Sequence, residues 1–186
     1  MPSPLNSLTA AELLRRYAMG ERQFRGVNLA HADLEAANLS YADLTNADLT
    51  LTNLNYANLQ GINLTQANLN GADLIGANLA QARLVKAQLL GANLSRSILN
   101  GADLSEALMG SALLISASCC HTSFRSAVLG GAVLIRANLT QADLSGANLS
   151  ETDLSAANLM GAILNQTNLS GAVLMDTQLD LDSLSE

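Results

Sequence analysis

Residues 37–49 read ANLSYADLTNADL, and residues 137–154 read ANLTQADLSGANLSETDL. In both stretches an apolar residue returns every fifth position, with Asn or Asp just before it and a small residue two places before it. Extended outward, the phase does not break. Every fifth position from Phe24 to Leu184 is apolar, 33 positions in all, of which 29 are Leu and the others are Phe24, Met109, Cys119 and Phe124. The residue two places earlier is mostly Ala, as at Ala32, Ala37, Ala42 and Ala47, and sometimes another type, as at Thr52, Ile62 and Ser97. Ten of the 13 glycines fall two places after the central residue, as at Gly71, Gly91 and Gly161.

A period of five fits neither ordinary element. On an α-helix, five residues advance about 500°, so successive leucines would spiral around the surface. On a flat strand an odd period sends them to opposite faces. The chain must therefore turn once per unit so that each Leu returns to the inside. Gly suits such turns because it tolerates positive φ, and Asn and Asp suit them by bonding to nearby backbone. Aromatic content is 3% and Trp is absent, so the interior has to be aliphatic. Pro2 and Pro4 both precede the repeat, as expected of a backbone ladder in which proline would remove a donor.

These tandem A-(D/N)-L-x-x units resemble the pentapeptide-repeat family over residues 24–184. The resemblance implies an all-β fold: a right-handed quadrilateral parallel β-helix with four units per coil and about eight coils, the central residue and the preceding small residue facing inward. At roughly 4.8 Å per coil the rod would be about 40 Å long. The expected organisation is an N-terminal segment with a capping helix over 1–21 and a β-helix over 22–186. The helix itself is read at 8–20, with Thr9 and Glu12 as a capping box, Leu8 and Leu13 as its hydrophobic staple and Gly20 as its stop. It would plug the first coil, since solenoid ends need capping. After Leu184 only Ser185 and Glu186 remain. The last coil is therefore expected either to pair end to end in a homodimer, as in some members of the family, or to stay open and guarded by Asp180, Asp182 and Glu186.

Composition narrows the function. The net charge of -7 argues against direct nucleic-acid binding. No apolar run approaches the roughly 18 residues of a membrane span. The N-terminus lacks a basic stretch followed by an apolar one, so a cytoplasmic location is expected. Cys119-Cys120-His121 looks superficially like a metal cluster, but Cys119 takes a central, inward slot and the other histidine, His31, lies about four and a half coils away, on the order of 20 Å. Four tetrahedral ligands do not converge, and neither metal nor cofactor is expected. Seven aspartates stand just before a central residue. Asp43, Asp103 and Asp143 fall on one face and Asp33, Asp73 and Asp153 on the opposite one, with Asp48 apart. Local turn bonding accounts for them, and an unbroken phase leaves no insertion to build the concave site that catalysis needs.

The reading is a non-catalytic, rigid scaffold that binds a protein partner through its faces. The candidate patch is where the rule of an Asn or Asp before the centre fails: Leu108, Leu113, Val128 and Val133 take that slot, and Ile115 and Ile135 follow the centre. Stacked twenty residues apart, these side chains would form an apolar patch on the order of 400 Å², with Arg136 at its edge and Arg96 in the same column. A second reading comes from the resemblance, since some members of the family resemble B-DNA and bind a type II topoisomerase (gyrase). DNA over about 40 Å carries roughly 23 charges, far above this chain's net charge. Only residues 137–186, with seven acids and no base, approach that density. Their candidate acidic surface is Asp143, Glu151, Asp153, Asp176, Asp180 and Asp182.

Overall fold

The computed structural model describes residues 8–180. From Gln23 onward the chain winds as a right-handed coil. The residue before each centre pairs in parallel with its counterpart twenty residues on, from Gln23 with Asp43 to Asn158 with Gln178. Four units therefore close one coil, and like positions stack in columns on four faces.

The hydrogen bonding explains why the unit has five residues. In residues 57–61 each backbone N–H has its own acceptor. Ala57 N–H closes a turn onto the Leu54 carbonyl (3.1 Å), and Asn58 N–H reaches the Ala37 carbonyl one coil below (2.8 Å). Leu59 and Gly61 N–H groups reach the Asn78 and Ala80 carbonyls one coil above (2.8 and 2.9 Å). The remaining donor, Gln60 N–H, bonds to the side-chain Oδ1 of Asn58 (3.3 Å). The Asn or Asp slot thus supplies the one acceptor that the backbone lacks, and a donor left without one would weaken the unit.

Each turn also needs one residue with positive φ, as a type II turn does. All 31 units from Gly26 to Asp176 have it, with φ between 53° and 72°, yet only ten of these residues are Gly. The other 21 accept a left-handed backbone at a cost of roughly 1 kcal/mol each, offset by the ladder. Glycine is sterically required at particular places. A Cβ on Gly61 would stand 2.5 Å from the Tyr41 ring, and one on Gly76 would stand 2.8 Å from the Tyr56 ring. Each tyrosine lies flat over the turn of the next coil.

The interior is a column of aliphatic side chains. The central residues from Phe24 to Leu164 and nearly all the small residues two places before them are buried. Interior hydroxyls bond to backbone carbonyls, as Thr52 does to Leu29 (2.9 Å) and Thr122 to Leu99 (2.8 Å).

Helix α1 spans Ala10–Ala18, two residues shorter at each end than read from sequence. Thr9 Oγ1 accepts the Glu12 N–H (3.2 Å), but the Glu12 carboxylate pairs with Arg15 and does not reach back, so the capping box is only half made. Gly20, with φ 95°, ends the element. Leu13 is fully buried, and Leu8, Leu14 and Tyr17 pack against the core, which is how the helix covers the first coil. The Tyr17 hydroxyl donates to the Ser40 carbonyl (2.9 Å), and the Arg22 guanidinium stacks 3.8 Å from the Tyr17 ring centre. At the other end Leu169 and Leu179 are half-buried and Leu174 is exposed. Asp180 Oδ2 accepts the Gly161 N–H (2.8 Å), standing in for the backbone carbonyl that the preceding coil uses at Met160 for Gln141. Asp182, Leu184 and Glu186 lie outside the described residues, and with them the expectation about the last edge.

Candidate protein-interaction surface

The Asn/Asp rule makes its own exceptions informative. Leu108, Leu113, Val128 and Val133 offer no acceptor, so the amide N–H groups of Gly110, Ile115, Gly130 and Ile135 lose the one bond that their own unit would give. In two other units without Asn or Asp a neighbouring coil compensates: Asn70 Oδ1 serves Leu90 N–H (2.8 Å) and Asn100 Oδ1 serves Cys120 N–H (3.0 Å). The residues below the four patch amides are Leu90, Ser95, Gly110 and Ile115, and among the described residues no side-chain bond replaces the missing one.

The ladder stacks Leu113 with Val133 on one face and Leu108 with Val128 on the adjoining face, in the register expected from sequence. Leu108 (44%), Val128 (39%) and Ile115 (36%) are exposed. Leu113, Val133 and Ile135 differ from the expectation, because they are half-buried. Coils about 4.8 Å apart cover part of every side chain in a column, and the exposure of these three falls short of that of Leu108 and Val128, which stack in the same way.

Two further features surround this patch. Gly110 and Gly130 are the two glycines that directly follow a centre. Neither has positive φ, and a Cβ on either would meet its nearest neighbour at an ordinary 3.5 Å. The fold does not require glycine there. The lack of a side chain leaves the backbone open to close approach at such a place. The second feature is charge. All five basic residues between 31 and 136 fall within 83–136. Lys86 pairs with Glu106 (3.3 Å) and Arg125 with Asp143 (2.8 Å). Arg96 and Arg136, in one column beside Ile115 and Ile135, are exposed and make no ion pair among the described residues. Ile75, Asn93, Ser95, Arg96, Leu113 and Ile115 line a shallow depression of about 410 Å³ on this face. A second, of about 500 Å³, lies across the corner by Leu108, Val128 and Arg125.

The acidic candidates do not converge. Asp143 Oδ1 accepts the backbone and hydroxyl donors of Ser145 (3.0 and 2.6 Å), and its Oδ2 accepts Arg125. Partial burial raises its pKa, but the Ser145 hydroxyl, Arg125 and the Ser145 amide outweigh that and hold it below the usual carboxylate range. The Ser155 hydroxyl and amide likewise hold Asp153 low, on the opposite face. Glu151 and Asp176 stand exposed at corners, Asp180 is tied to Gly161, and Asp182 lies outside the described residues. Cys119 is fully buried, which pushes its thiol pKa upward, while Cys120 is half-exposed. No group of three or more His, Cys, Asp or Glu among the described residues is placed to hold a metal ion. No helix among them is long and apolar enough to cross a membrane.

The family model described as pentapeptide repeats (8 copies) matches residues 23–55, 32–71, 47–84, 72–110, 112–150 and 152–180. The chain belongs to the pentapeptide-repeat family. No curated protein sequence matches it. Among solved structures, the pentapeptide-repeat protein HetL, involved in heterocyst differentiation regulation in the cyanobacterium Nostoc sp. strain PCC 7120, is 35% identical. That match covers 92% of this chain and 95% of HetL, with a TM-score of 0.34. Trypsin-treated QnrB1, a plasmid-mediated fluoroquinolone resistance protein, is 20% identical over 88% of this chain and 84% of its own, with a TM-score of 0.55. At that identity the likeness is one of fold. Within this pentapeptide-repeat rod, sequence reading missed Gly110, Gly130 and the open amides. The signal was present, because glycine directly after a centre occurs in those two units alone.

Proposed function

We propose that this pentapeptide-repeat rod is a non-catalytic scaffold that docks a protein partner on the adjoining faces carrying Leu108, Leu113, Ile115, Val128, Val133 and Ile135. One observation carries the reading: in consecutive coils, four units give up the side-chain acceptor that stabilises their neighbours and present apolar side chains and bare amide donors instead. The slot is also aliphatic at Ile98, Ile163 and Val173, but only here do such residues stack on one another, as two adjoining pairs in consecutive coils, with two glycines that the fold does not need.

The test exploits this sacrifice. Leu108→Asn, Leu113→Asn, Val128→Asn and Val133→Asn together restore the regular acceptor in all four units. We expect the melting temperature of this variant to be equal to or above that of the wild type, since each restored bond contributes on the order of 0.5–1.5 kcal/mol against a strand preference for Val. Immobilised wild-type rod should retain a discrete protein from extract of the source cells that the variant does not retain. Gly110→Ala with Gly130→Ala should stay folded and also lose that protein. Equal retention by all three rods would mean that the patch is surface drift.

A further inference from the structure

We propose that the partner segment on this face is an acidic amphipathic α-helix lying along the rod axis over Leu113, Ile115, Val133 and Ile135, with two carboxylates on Arg96 and Arg136. The inference rests on the reading of this face as the binding surface and adds the chemistry of what binds. Four donors stand open around these side chains: the Ile115 and Ile135 amides and two guanidinium groups that make no ion pair among the described residues. A complementary surface must therefore bring acceptors and negative charge, set among apolar side chains.

Spacing selects the helix. Arg96 and Arg136 share a column two coils apart, about 10 Å at roughly 4.8 Å per coil. On an α-helix, residues i and i+7 lie on one side about 10.5 Å apart. On an extended segment, same-side residues fall at about 6.8 Å and about 13.6 Å and miss both arginines. Residues i+3 and i+4 of the helix then lie over Ile115, and the depression between Ile75 and Ile115, floored by Ser95, receives a further apolar side chain. A bidentate arginine–carboxylate pair at each end fixes the register.

The experiment uses the full-length rod and a fluorescein-labelled synthetic helix of about 18 residues, with Glu at i and i+7 and Leu at i+3 and i+4. Fluorescence anisotropy should show binding that weakens as salt rises. Arg96→Glu with Arg136→Glu should weaken it by at least about tenfold. A peptide with Lys in place of both Glu should prefer this variant over the wild type, a reversal that misfolding would not produce. Three results would each overturn the proposal: wild-type rod that does not distinguish the Glu peptide from the Lys peptide, affinity unchanged by the charge reversal, or no binding of the Glu peptide up to about 1 mM. Each would leave the docking face standing if the four-Asn variant alone had lost the cellular partner. Retention of that partner by the four-Asn variant would instead remove the face itself.

Discussion

At the residue scale, a unit works because each of its backbone donors has a separate destination. Ser97 is the interior exception. It occupies the slot that Ala fills in most units, it is buried, and its hydroxyl has no hydrogen-bond partner among the described residues. Burying an unpaired hydroxyl costs about 1–3 kcal/mol. Ser97→Ala removes that cost in a space already shaped for Ala, so the variant is expected to be more stable by about 1 kcal/mol, measured by the midpoint of chemical denaturation. A midpoint at or below the wild-type value would show that the hydroxyl finds a carbonyl, as Thr52 and Thr122 do.

At the scale of elements, the coil and its cap solve different problems. A stacked coil satisfies its neighbours' donors and acceptors, and the first coil has no neighbour below. Helix α1 covers that face with Leu13 and ties itself down through Tyr17 and Ser40. Deleting residues 1–20 is expected to expose the edge of the first coil and to cause concentration-dependent aggregation visible by light scattering, because an unpaired edge templates β-pairing. Leu13→Asp should act in the same direction, since it places a carboxylate in a fully buried apolar site. Tyr17→Phe should cost only about 0.5–1.5 kcal/mol. A truncated chain that stays monomeric and equally heat-stable would show that the cap is dispensable.

For the whole molecule, most charge is at the surface and pH acts through a few carboxylates. Partial burial raises the pKa of Asp43, but the Thr45 hydroxyl and amide and Arg25 prevail and hold it below the ordinary value, as Ser145 and Arg125 do for Asp143. Both groups release their protons more readily in the fold than in the unfolded chain. Their contribution is therefore fully present above the ordinary carboxylate value of about 3.9 and is lost as pH falls through the lower folded values. The melting temperature should be flat from neutral pH down to about 5 and should fall below about 4. Asp143→Asn keeps an Oδ1 acceptor but loses the Arg125 pair. It should be less stable at neutral pH by at most about 1 kcal/mol and should show a smaller acid decline. An unchanged decline would assign acid sensitivity to other groups.

How much of this was legible beforehand follows from where the information lies. The unbroken five-residue phase determined that each Leu returns inward and that the chain turns once per unit, because no helix or flat strand allows it. The phase alone does not say how many units close a coil, and that number came from the family resemblance. The parallel pairing of each ladder residue with its counterpart twenty positions on establishes it. Apolar residues in the Asn/Asp slot were readable from the sequence as a patch, since the slot points outward in every unit. Tertiary structure alone decided that Leu113, Val133 and Ile135 are half-buried, and that Arg125 reaches Asp143 while Arg96 and Arg136 make no ion pair among the described residues. It also decided that Gly61 and Gly76 make room for tyrosines one coil below, whereas a Cβ on Gly110 or Gly130 would meet only ordinary contacts among the described residues. Periodicity acts within one unit and can be read along the chain. Contacts between coils join residues about twenty positions apart, and only the closed coil brings them together.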